Sequence, residues 1–258
     1  MSISRNALAC AGALLLATAS LAQANTLAPA GVAGTVFFNF QPPAGIQVNG
    51  FGSFPLLGPG GELRLDASPQ PSPSLYGEVG VGPGFTGRAS AQLTYQMQVV
   101  APQGADPNAE VGVSATVAGR VTGSSNTVDP FAGFAMKAQW LLEDVSLGLL
   151  PVFSEGIQTG TLQGSFSQSF SHDVALMLKP GHVYLVTLTA DAFAGASSGP
   201  SASATAYIDP VFSFAAGVDP GYAFEFSAGI GNAPIPEPAS WALLSLGLLA
   251  LALRRRSG

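Results

Sequence analysis

Charge and cysteine are the two things this 258-residue chain has least of. Only 9% of its residues are Asp, Glu, Lys or Arg, against 47% hydrophobic residues, 32 glycines and 20 prolines. Long helices draw their solvent faces from Glu, Lys and Arg, so their scarcity beside so much Gly and Pro disfavours a helical architecture. Histidine occurs twice and cysteine once, at Cys10. A single cysteine excludes an internal disulfide and a thiolate metal cluster, which leaves burial and backbone pairing to hold the fold. Basic residues are also few. Arg5 and Arg254 to Arg256 stand near the ends, leaving five basic residues against fourteen acidic ones between residues 25 and 232. That acidic balance argues against nucleic acid as a partner, since binding it requires Lys and Arg to displace counterions.

The two ends read as addresses. Residues 1–24 carry one early positive charge at Arg5, an apolar stretch from Ala7 to Leu16, and the small-x-small sequence Ala22-Gln23-Ala24. This is the pattern of a secretory signal peptide cut between Ala24 and Asn25, which implies passage through a secretory translocon. Cys10 falls within the apolar stretch rather than after it, unlike a lipoprotein acylation site.

At the other end, residues 233–258 contain Pro236-Glu237-Pro238-Ala239-Ser240-Trp241, an apolar run to Leu253, and then Arg254-Arg255-Arg256. Pro236 and Pro238 forbid regular pairing and hold Glu237 extended. The apolar run of about 15 residues spans about 22 Å as a helix, short of the roughly 30 Å hydrocarbon core. Trp241 at one interface and snorkelling arginines at the other are expected to help it cross the inner membrane, with the arginines cytoplasmic.

This segment resembles the PEP-CTERM family of sorting tails, which is also labelled as the C-terminal domain of ice-binding proteins. The resemblance implies recognition by an exosortase, a membrane-embedded transpeptidase that removes or exchanges the tail, in Gram-negative-type bacteria that make extracellular polysaccharide. On the same footing, Pro236, Glu237, Pro238, Trp241 and Arg254 to Arg256 are the sorting residues. The ice-binding label finds no support in the residues: β-type ice-binding surfaces use flat arrays of regularly spaced Thr, and here only Thr187-Leu188-Thr189 approaches one.

Residues 25–232 alternate apolar and polar positions between Gly, Pro, Asp and Asn clusters. The clearest case is Arg88 to Val99, where Ala89, Ala91, Leu93, Tyr95, Met97 and Val99 share one face. That is the period of a half-buried strand. Glu110 to Thr122 repeats it, and the two are expected to be antiparallel neighbours joined through Gly104 to Asn108. Eight further strands are expected, at 35–40, 62–66, 135–142, 161–170, 174–178, 183–190, 202–208 and 223–228. Lys179-Pro180-Gly181-His182 reads as a tight turn, and the Asp-Pro pairs at Asp106, Asp129, Asp209 and Asp219 as strand-ending turns. Ser68 to Ser74, extended by the glycines from Gly77 to Gly87, reads as one long surface loop. The fold class expected is all-β: an antiparallel, jelly-roll-like sandwich of about ten strands, flanked by a signal helix and a transmembrane helix.

No motif between the ends names a chemistry. Gly195-Ala196-Ser197-Ser198-Gly199 has the letters of a nucleophile elbow, but Pro200 follows it and both histidines precede it. Gly82-Pro83-Gly84-Phe85-Thr86-Gly87 has the letters of a nucleotide loop, but Pro83 removes an amide and a strand follows. His172, Asp173 and His182 lack a metal-ligand spacing and read as exposed turn residues. Asp209, Asp219 and Glu225 lack a calcium-loop spacing, so no cofactor is expected beyond an occasional structural calcium. The expectation is a non-enzymatic component of the extracellular polysaccharide matrix. A carbohydrate-binding module is the alternative, and a glycan hydrolase with a close carboxylate pair a further one. Trp140 separates the first two: exposed beside a polar groove it would favour sugar stacking, buried it would favour the structural role.

Overall fold

Small apolar residues alternating with Ser, Thr and Gln give strands that bury one face, and two sheets of such strands bury it mutually. A computed structural model describes residues 27–39, 44–58, 60–106, 108–126, 132–197 and 201–232. They form thirteen strands: β1 (Gly31–Asn39), β2 (Ala44–Asn49), β3 (Gly52–Gly58), β4 (Gly61–Ser68), β5 (Ser74–Val81), β6 (Phe85–Val100), β7 (Val111–Ser124), β8 (Gly133–Asp144), β9 (Leu150–Gln158), β10 (Ser165–Leu178), β11 (Val183–Ala196), β12 (Ala202–Phe214) and β13 (Ala223–Phe226). A three-residue 3₁₀ turn, Val145–Leu147, links β8 to β9. The signal helix and the transmembrane helix expected from the sequence lie outside the described residues, among which no helix is long and apolar enough to cross a membrane.

Sheet A runs β2-β1-β6-β11-β8-β9, with β13 also paired to β6; sheet B runs β10-β7-β12-β5-β4-β3. All pairings are antiparallel. Between β5 and β12 they nest: β5 with β12, β6 with β11, β7 with β10, β8 with β9. First pairs with last and second with next-to-last, the order of one long hairpin rolled into a jelly roll. The hairpins β1–β2 and β3–β4 widen the two sheets.

The nesting corrects one expectation. β6 and β7 are consecutive and equally amphipathic, yet they belong to opposite sheets, and residues 101–110 cross between the sheets instead of closing a hairpin. Each lies between other strands, β6 between β1 and β11 and β7 between β10 and β12, so the nested order leaves no place for a β6–β7 pair. Of the strands expected at 161–170 and 174–178, residues 165–170 and 174–178 belong to one strand, β10, while residues 161–164 precede it and pair only through an isolated bridge from Leu162 to Phe134. β10 is an edge strand with a partly wet inner face, so Ser171, His172 and Asp173 do not end it. The stretch read as a surface loop from Ser68 to Gly87 contains β5, a strand inside sheet B. Asp209-Pro210 lies within β12 rather than in a turn: pairing with β5 stops at Ile208, so Pro210 needs no amide on that side. Asp106 and Asp219 do sit in turns, accepting from the amides of Asn108 and Gly221. Asp129 lies outside the described residues.

The core is graded. Ala190, Ala192, Ala194 and Ala196 of β11 and Ala202, Ala204 and Ala206 of β12 are buried and let the sheets approach closely in one half. In the other half Trp140 packs on Phe153 and Phe212, with ring centroids 5.2 and 6.1 Å apart, and Phe214 stacks on Phe224 at 4.1 Å.

Candidate functional site

The outer face of sheet A carries the most regular chemistry. On β6, β8 and β11 the residues between the buried ones point outward, and the antiparallel register aligns them into rows. One row crosses six strands as Gln47, Thr35, Ser90, Asp191, Lys137 and Gln158. The next runs Asn49, Ala33, Gln92, Thr189 and Gln139. Shallow clefts follow the rows. One of about 540 Å³ lies between Phe37, Gln47, Arg88 and Phe193, and three others share Lys137.

Arg88 donates to Asp191 through Nε (2.9 Å) and Nη2 (2.5 Å), a bidentate pair. The hydrogen bond to Asp191 raises the Arg88 guanidinium above its ordinary value. The pair fixes both charges in the middle of a face that otherwise carries mainly amides and hydroxyls, with Lys137 beside Asp191 in the same row and Phe37 and Phe193 at the cleft. Such a face exchanges hydrogen bonds with a polyhydroxyl surface, whereas a carboxylate already held by an arginine is poorly placed to act as an acid or base.

The residues singled out in the sequence fall elsewhere. Trp140 is fully buried between the sheets. His172 lies within β10 and bonds Glu155 of β9, tying the open edges of the two sheets together. His182 bonds Asp144 Oδ2 at 2.8 Å. Six strand residues and a turn separate the two histidines, roughly 20 Å along the sheet. Asp209 is buried and accepts from the Tyr207 hydroxyl at 2.9 Å, while Asp219 caps a turn and Glu225 stands exposed on β13. Among the described residues no three His, Cys, Asp or Glu side chains gather as a metal site. Gly195 to Ser197 close β11 and lead to β12, a strand where a nucleophile elbow requires a helix.

Sequence reasoning missed how the chain ends are fastened, because no local pattern marks it. Ser227, buried at the end of β13, receives the Gln96 amide (2.8 Å) and donates to the Ala28 carbonyl (2.6 Å), and the Ala28 amide donates to Gln96 Oε1 (2.6 Å). The first and last segments of the domain are thus stitched together on one edge of β6. Beyond them the Gly231 amide donates to the Pro69 carbonyl, Gln70 Nε2 donates to the Gly229 carbonyl, and Asn232 exchanges two 2.8 Å bonds with the Phe212 backbone. These contacts, the Pro-rich loop's among them, clamp the chain two residues before Pro234. The cleavage residues Ala22, Ala24 and Asn25, and the sorting residues Pro236, Glu237, Pro238, Trp241 and Arg254 to Arg256, lie outside the described residues.

No curated protein matches the chain. Among solved structures it is similar to that of infectious bursal disease virus Gx strain, at 12% identity over 90% of this chain and 71% of the other, with a TM-score of 0.17. It is also similar to the VP2 subviral particle of infectious bursal disease virus, at 12% identity over 89% and 73%, with a TM-score of 0.18. At such TM-scores the likeness bears on neither fold nor function. Residues 234–256 match the PEP-CTERM protein-sorting motif. The motif begins two residues after the clamp at Asn232, and it supports an exported protein targeted to an exosortase.

Proposed function

We propose that the jelly-roll domain is a non-enzymatic component of the extracellular polysaccharide matrix, displayed or released after an exosortase has processed the tail. The export route belongs to the same proposal. Residues 1–24 act as a signal peptide at the translocon, and the apolar run from Ala239 to Leu253 holds the chain in the inner membrane with Arg254 to Arg256 cytoplasmic. The observation that carries the matrix reading is the outer face of sheet A, with its ranks of amide and hydroxyl side chains. It suits many weak contacts to polymer hydroxyls. Burial of Trp140 supports the same choice, because it removes the obvious sugar-stacking platform. A carbohydrate-binding module is the second reading, favoured by Phe37 and Phe193 beside the cleft at Arg88.

Affinity electrophoresis of the secreted form through gels containing the cell's own polysaccharide tests both. The matrix reading predicts graded retardation, weakened in steps by Gln92→Ala, Thr189→Ala and Gln139→Ala. A binding module predicts saturable binding of an oligosaccharide, abolished by Phe193→Ala alone. Unretarded migration contradicts both readings, and release of new reducing ends contradicts a non-enzymatic role.

A further inference from the structure

The β8–β9 connection presents leucines to solvent in a conformation that leucine rarely adopts. Leu147, Leu149 and Leu150 are 51%, 50% and 53% exposed. Leu149, at φ 61°, follows Gly148 at φ 82° and is the one non-glycine residue with positive φ among the described residues. Asn or Gly occupies that region with little strain, whereas a bulky side chain there is uncommon. The connection is also held firmly. Asp144 accepts from the Leu147 amide (3.2 Å) as well as bonding His182, and Ser146 Oγ accepts from the Val183 amide (2.9 Å).

Its position is specific. β6 and β8 end, and β9 and β11 begin, at one end of the sandwich. Eight large apolar side chains are exposed among the described residues. Phe51, Leu147, Leu149, Leu150, Val152 and Met177 lie toward this end, while Phe37 and Leu57 lie toward the other. The chain ends leave from the same half, where Ala28 and Ser227 meet at Gln96. β13 and β8 are three strand spacings apart, about 14 Å. From Asn232 to Ala239, where the apolar run begins, seven residues reach at most about 25 Å. A tail seated in a bilayer therefore keeps this end of the domain close to the surface it enters.

We propose that Leu147, Leu149 and Leu150 form an apolar prong that seats in the bilayer surface while the tail holds the chain there. The inference rests on the tail being membrane-inserted. Asp106, Glu110, Glu143 and Asp219 stand at this end against Lys179 of the β10–β11 turn, so anionic headgroups repel the domain on balance and the contact is apolar. Salt is then expected to strengthen it by screening that repulsion.

The test uses the full chain with Cys10→Ser, reconstituted in vesicles of phosphatidylethanolamine with a minority of phosphatidylglycerol. An environment-sensitive fluorophore is attached in turn at Leu149→Cys, Leu150→Cys, Leu57→Cys at the opposite end of the sandwich, and Leu248→Cys in the tail. The proposal predicts blue-shifted emission and quenching by lipid-borne quenchers at 149 and 150, several-fold greater than at 57. Label 248 reports tail insertion separately. Water-like emission at 149 and 150 with a buried label at 248 overturns the prong and leaves the tail reading standing. Burial at 149 and 150 with label 248 in water refutes the tail reading and overturns a prong held at the surface by the tail. Blue shift at 149 without vesicles, growing with protein concentration, overturns the prong in favour of self-association.

Discussion

Trp140 and Asp209 show how position decides what a side chain does. Trp140 is enclosed by Phe153, Phe212 and both sheets, so Trp140→Ala should empty a large volume that rigid sheets cannot refill. A loss of about 3–5 kcal/mol is expected in denaturant unfolding. A loss below about 1 kcal/mol would contradict this packing. Asp209 is governed by burial, which raises its carboxyl above the usual value against the opposing hydroxyls of Ser72 and Tyr207. The folded chain therefore holds that proton more tightly than the unfolded one. Its stabilising contribution is complete below the ordinary Asp value and is lost as pH rises through the raised one. Asp209→Asn should consequently gain in melting temperature relative to wild type on going from about pH 4 to pH 7. A pH-independent difference would refute the assignment. The sequence marked both residues as notable but was silent on burial, which depends on strands distant in the chain.

At the scale of elements, Ser227 is the pivot that ties β13, Gln96 and the segment entering β1. Ser227→Ala removes an acceptor and a donor from a buried site, a loss of about 1–3 kcal/mol. Hydrogen exchange should quicken in residues 27–32 and 223–232 and stay unchanged in β8 and β11. Unaltered exchange at both ends would show that the stitch carries no stability. Where alternation is clean and one face is dry, strands were legible: the inner faces read from Arg88–Val99 and Glu110–Thr122 are those buried in β6 and β7. β5 was hidden because glycine interrupts the pattern of Leu75, Gly77, Val79 and Val81. A Cβ on Gly77 would stand 3.2 Å from the Ala89 carbonyl oxygen, so close approach of the sheets favours glycine there. β2, β3 and β9 escaped notice because they are outer strands of their sheets and largely wet, so alternation carries little signal. Pairing was beyond local reading altogether. The nested order joins strands far apart in the chain, and a wrong hairpin such as β6–β7 satisfies the same periodicity.

For the whole molecule, a disulfide-free jelly roll with an acidic surface is delivered by a short motif outside its folded body. The rows across sheet A could not be seen in the sequence, since they join residues as distant as Gln47 and Gln158 through five successive registers. The sorting motif was legible because its signal is local: Pro-Glu-Pro, an apolar run and an arginine cluster, in that order. The clamp at Asn232 leaves little slack before Pro234, so processing must act close to the folded domain. The measurement that tests the account most directly follows the chain in membrane and secreted fractions by mass spectrometry, for wild type, Glu237→Ala, and a variant with Arg254 to Arg256 all changed to Ala. Wild type is expected outside the cell without the apolar tail, and both variants in the inner membrane at precursor mass. Wild-type processing of both variants would contradict the sorting assignment.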